Sequence, residues 1–118
     1  MAEGKVFKLA VPVMLGCAIV PLATLALCAD DDPVFRIEFK DGTINPSRLE
    51  VPANRRFKIE LYNLGSTPAE FESSELRREK VLAPNSSSFI VIRQLEPGEY
   101  KFFDDFHLET PPAVLVAK

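Results

Sequence analysis

From Val34 onward the chain alternates apolar and polar residues with a period of two, and this period constrains the fold more than any other feature. Val34–Lys40 reads VFRIEFK, setting Phe35, Ile37 and Phe39 against Arg36, Glu38 and Lys40. Arg56–Tyr62 repeats the pattern with Phe57, Ile59 and Leu61. In a strand such residues share one face, ready to be buried. Turn-forming residues cut the pattern at Asp41-Gly42, Asn45-Pro46-Ser47, Pro52-Ala53-Asn54 and Asn63–Pro68. Further strands are expected at Leu49–Val51, Ala69–Glu72, Ser87–Arg93, Glu99–Phe103 and Ala113–Ala117. Short strands at this spacing predict an all-β, antiparallel sandwich or barrel. One segment breaks the rhythm. Ser73–Val81, SSELRREKV, has little apolar content and predicts a short helical turn. Ser73 or Ser74 would cap it, and Glu75 and Glu79 would share a helical face.

Ahead of the strands, residues 1–29 carry Lys5 and Lys8 and then an almost wholly apolar run, Leu9 to Leu27. Small residues lead from it into the acidic Asp30–Asp32. This is the layout of an export signal, with an uncleaved anchor as the alternative, because the apolar run approaches the ~20 residues that span a bilayer. Either outcome places residues 30–118 outside the cytoplasm, as a periplasmic domain. Both cysteines, Cys17 and Cys28, and both methionines, Met1 and Met14, precede that domain. It therefore has no disulfide to staple it and no sulfur to offer a metal. Its 16 acidic and 12 basic residues argue against a nucleic-acid partner, whose electrostatic footprint is a basic face.

The densest chemistry lies near the end of the chain. Between two expected strands, Asp104, Asp105, His107 and Glu109 put three carboxylates and the one histidine within six residues. Carboxylate with imidazole and no sulfur suits hard or borderline cations rather than Cu(I). Strand alternation adds a condition. If Phe71 points into the core, its neighbours Glu70 and Glu72 point the other way, towards solvent or a partner.

These residues also carry a resemblance. The ending GEYKFF-DDFH…AVLV, the Asn63-Leu64-Gly65 element and the turn Leu95-Glu96-Pro97-Gly98-Glu99-Tyr100 resemble the cupredoxin family. That likeness implies a Greek-key β-sandwich. In the family a Cys, two His and usually a Met hold copper. Matched here, those positions fall on Asp104, Ala69, His107 and the neighbourhood of Pro112, so a type 1 site, which needs His₂Cys, is not formed. Ala69-Glu70-Phe71-Glu72 with Arg78-Glu79-Lys80 and Ala83-Pro84 is similar, more narrowly, to cupredoxin-like domains of bacterial periplasmic iron-uptake systems. These include the EfeO type and the small stand-alone form that accompanies Ftr-type iron permeases. The resemblance implies iron (Fe²⁺ or Fe³⁺) or Cu²⁺ held by Glu70, Glu72, Glu79 and Asp104, with Asp105 and His107 as the neighbouring donors. It also implies a high-affinity iron permease in the inner membrane and another periplasmic metal-binding subunit as partners. Oxidation of Fe²⁺ would need an electron acceptor, either Cu(II) or a partner protein. A Cu(II) carrier without redox turnover and a metal-free docking module are the alternatives.

Overall fold

The computed structural model describes residues 31–118, together with the isolated positions Gly4, Pro12 and Gly16. The expected export segment, residues 1–29, otherwise lies outside the described residues. Nine strands follow one another: β1 (Val34–Lys40), β2 (Thr43–Asn45), β3 (Arg48–Val51), β4 (Phe57–Asn63), β5 (Ala69–Ser73), β6 (Arg78–Leu82), β7 (Ser86–Ile92), β8 (Gly98–Asp104) and β9 (Ala113–Ala117). They form two sheets, ordered β2-β1-β4-β7 and β3-β9-β8-β5-β6. The inward residues are those the period-2 pattern selects. Ile37 and Phe39 of β1, Phe57, Ile59 and Leu61 of β4, Phe71 of β5 and Phe102 of β8 are fully buried between the sheets. Phe71 and Phe102 stack at 5.0 Å between centroids, and Phe35 meets Phe57 edge-on at 5.7 Å. Buried aromatic pairs of this kind add a geometric preference to the area they remove from water.

Two expectations are corrected. The sheets are mixed rather than antiparallel, because β1 runs parallel to β4 and β3 parallel to β9. Alternation reports which face of a strand is buried and is blind to the direction in which the strand runs. The segment 73–81 is a β-hairpin and not a helical turn. β5 and β6 pair antiparallel, with Glu72 opposite Glu79 and Ser73 opposite Arg78. A single turn starts as expected, with the Leu76 amide donating to the Ser73 hydroxyl at 3.3 Å. It stops at Arg77, whose φ of +52° reverses the chain. Pairing along β5 then outweighs a weak local helical preference.

Asn63 ties the loop end of the sandwich together. Its side chain is 1% exposed, and its amide donates to the carbonyls of Thr67 (2.8 Å), Leu82 (3.2 Å) and Ala83 (3.1 Å). Its oxygen accepts the Gly65 amide at 3.0 Å. Gly65 is required at its position, since a Cβ there would lie 2.7 Å from the Asp41 backbone nitrogen. Asn63→Ala leaves these buried partners unsatisfied, and a loss of about 2–3 kcal/mol in urea unfolding with an unchanged m-value is expected.

Candidate metal centre

The buried Phe71 fixes the direction of its neighbours. With Phe71 inward, Glu70 and Glu72 project from the outer face of the five-stranded sheet. Glu79 on β6 stands directly opposite Glu72 and shares that face. Asp105, the first residue after β8, is brought alongside by its amide, which donates to the Glu70 carbonyl at 3.1 Å. One carboxylate oxygen each from Glu70, Glu72 and Asp105 lie within 4.8 Å of one another.

Among the described residues no cation neutralises this cluster. Among the described residues the ion pairs are Arg36–Glu38, Arg48–Glu99, Arg56–Asp32, Lys118–Glu50 and His107–Asp104. Arg78 and Lys80 flank Glu79 in sequence, but on a strand they lie on the opposite face from it. Arg78 is spent on the Val91 carbonyl at 2.8 Å. The carboxyl of Glu70 is consequently pushed up, first by partial burial and then by the charges of Asp105, Glu72, Glu79 and Asp104. Glu72 is pushed up in the same way, first by burial, then by Asp105 and Glu79. Mutual repulsion of this kind is what a bound cation relieves.

Asp104 and His107 form a second, separate arrangement. Asp104 is the register partner of Phe71 and so faces inward, 1% exposed. Its Oδ1 accepts the amides of Glu70 (3.0 Å) and Phe106 (3.1 Å), and its Oδ2 lies 2.8 Å from His107 Nδ1. His107 Nε2 is 3.2 Å from the Thr67 hydroxyl, which donates to Asp41 Oδ1 at 2.8 Å. Asp41 also accepts the amides of Ser66 and Thr67, each at 3.0 Å. These bonds hold its carboxyl below the usual carboxylate range, the Thr67 hydroxyl foremost. The six residues singled out in the sequence are therefore divided. Glu70, Glu72 and Asp105 converge, Glu79 borders them, and Asp104 with His107 belongs to a hydrogen-bonded chain ending at Asp41. In the sequence Thr67 and Asp41 stand only as turn residues, because nothing local shows that Thr67 meets a histidine forty residues on or that Asp41 meets Thr67.

The description "Cupredoxin-like domain" matches residues 10–117, and the chain belongs to that family. Uncharacterized protein RP394 of Rickettsia prowazekii (strain Madrid E) is 36% identical over 81 residues, 69% of this chain. The chain spans 65% of that protein's length, just under two thirds. Among solved structures, an auracyanin of the photosynthetic bacterium Roseiflexus castenholzii superimposes with a TM-score of 0.62 at 12% identity, covering 75% of this chain and 98% of its own. A purple cupredoxin from Nitrosopumilus maritimus gives a TM-score of 0.55 at 17% identity, with 71% and 99% covered. A copper-binding protein in its apo form gives 0.62 at 13%, with 72% and 86% covered. At these identities the likeness is one of fold.

The copper that such a fold implies does not fit the corresponding positions here. Ala69 offers no donor atom and is 2% exposed. Asp104 Oδ1 already accepts two backbone amides, its Oδ2 lies against His107 Nδ1, and His107 Nε2 lies against the Thr67 hydroxyl. The donors that remain open are the outer carboxylates.

The cluster has a signature in the metal-free protein. A carboxyl whose pKa is higher folded than unfolded binds its proton more tightly in the native state, so acidification stabilises the fold through that group. At neutral pH the charged cluster opposes folding. Glu72→Gln is expected to raise the thermal midpoint by a few degrees near neutrality, with the advantage vanishing as pH falls through the raised carboxylate range. A pH-independent difference would show that the gain comes from something other than this repulsion.

Proposed function

We propose that the chain is an extracytoplasmic cation-binding protein whose cargo, iron or Cu²⁺, is held by Glu70, Glu72 and Asp105 with Glu79 at the margin. The observation that carries this reading is the convergence of three carboxylates on an open sheet face with no neutralising side chain among the described residues. Oxygen donors suit Fe³⁺ and Fe²⁺ and also accept Cu²⁺. Negatively charged oxygen favours the higher charge, so such a site lowers the reduction potential of bound iron and eases its oxidation. That oxidation needs a one-electron acceptor, either Cu(II) or a partner protein.

The openness of the site supports a carrier role. Carboxylates on the face of a sheet leave coordination positions free, through which a second protein can take over the cargo ligand by ligand. The E-F-E and R-E-K resemblance supports a high-affinity iron permease as the receiver, with a second periplasmic metal-binding subunit upstream. The acidic balance of the domain favours cation encounter and disfavours nucleic acid.

Calorimetric titration of the protein with Cu²⁺, and anaerobically with Fe²⁺, tests the reading. Saturable binding is expected, weakened by about tenfold or more in each of Glu70→Gln, Glu72→Gln and Asp105→Asn. Heats no larger than those of the triple variant would leave the acidic face as a docking surface without a metal.

A further inference from the structure

We infer that Asp104 is the positioning residue of this site and that it sets the donor set the cation meets, all oxygen with no imidazole. The inference rests on the proposed cation site and adds to it a residue that is not itself a ligand.

Two observations converge on this one side chain. The first concerns the carboxylates. Glu70 and Asp105 sit on different segments, β5 and the loop after β8, and nothing in their sequence holds them together. Asp104 Oδ1 accepts the Glu70 amide from one segment and the Phe106 amide from the other. The Asp105 amide, between those two, closes the seam on the Glu70 carbonyl. A single buried oxygen thus fixes the backbone from which two of the three ligands project. At 1% exposure that oxygen is locked by packing, which is the condition for an outer residue to hold ligands in register.

The second observation concerns the imidazole. Asp104 Oδ2 lies 2.8 Å from His107 Nδ1 and the Thr67 hydroxyl oxygen 3.2 Å from Nε2, so both ring nitrogens face partners other than the outer carboxylates. Nitrogen donors raise the affinity of a site for Cu²⁺ more than for harder ions, and an engaged imidazole removes that advantage. Asp104 therefore does two things: it gathers the oxygen ligands on one face and withholds the nitrogen on the other.

The chemistry of asparagine separates positioning from ligation. In Asp104→Asn the amide oxygen still accepts both backbone N–H groups. Its nitrogen donates to His107 Nδ1 if the imidazole proton moves to Nε2, where Thr67 accepts it. The geometry survives and the negative charge is lost.

The test is titration of the full chain and its variants with Cu²⁺, paired with electron paramagnetic resonance of the Cu²⁺-loaded protein. Asp104→Ala is expected to weaken binding by about 10–100-fold, and Asp104→Asn to recover most of that loss. The spectrum of the unaltered chain is expected to show oxygen ligation without nitrogen splitting, and to be unchanged in His107→Ala. Asp104→Asn as damaging as Glu70→Gln would make Asp104 a ligand and overturn the inference. So would nitrogen splitting that disappears in His107→Ala, a readout that does not require Asp104→Ala to fold. Binding that Glu70→Gln abolishes but Asp104→Ala leaves intact would overturn the role of Asp104 alone. Absence of binding by the unaltered chain would overturn the cation site as well.

Discussion

The register of β5 against β8, with Phe71 beside Asp104 and Glu72 beside Phe103, is the constraint from which the rest of the site follows. Phe71 and Phe102 stack in the core and fix that register by packing, not by charge. A slip of one residue would turn either Glu70 and Glu72 into the sandwich or Asp104 out of it. The hydrophobic cost of such a slip is large, so the acidic face is as firmly specified as the core behind it. Chemistry on one side of the sheet is held in place by packing on the other.

Charge is handled differently on the two faces. Inside, Asp104 is buried but accepts two backbone amides and lies against His107 Nδ1, the condition under which a deep carboxyl group is tolerated. Outside, Glu70 and Glu72 lack such donors, and partial burial first and then the charges of their neighbours raise their proton affinity. A fold optimised for stability alone would have reversed this, placing Arg78 or Lys80 where Glu79 stands. Strain concentrated in one cluster, where the buried side-chain polar atoms of the described residues are otherwise all satisfied, marks a place shaped for something other than stability.

Much of this was legible in the sequence, and the limits are physical. Period two identified Ile37, Phe39, Ile59 and Leu61 as core and warned that Phe71 would send Glu70 and Glu72 outward. It carries no information about strand direction, so it does not distinguish the parallel pairs β1–β4 and β3–β9 from antiparallel ones. SSELRREKV was read as helical because its local preferences favour a turn. The competing stabilisation, pairing along β5, is invisible to a window of nine residues. Asp104, Asp105 and His107 are close in the chain, which suggested one site. Successive residues of a strand end point to opposite faces, and that places Asp105 with the glutamates and Asp104 with the histidine. The links from His107 to Thr67 and from Thr67 to Asp41 span forty and twenty-six residues, beyond the reach of any local pattern.

The edge of the five-stranded sheet is closed by β6, Arg78–Leu82, and its first three residues carry charge towards both faces in turn. A second copy approaching that edge in register would meet Glu79 and Lys80 side chains that lose water without gaining a partner. The strand that borders the acidic cluster therefore also guards the backbone beside it. Sheet growth from copy to copy is discouraged at the border of the acidic face.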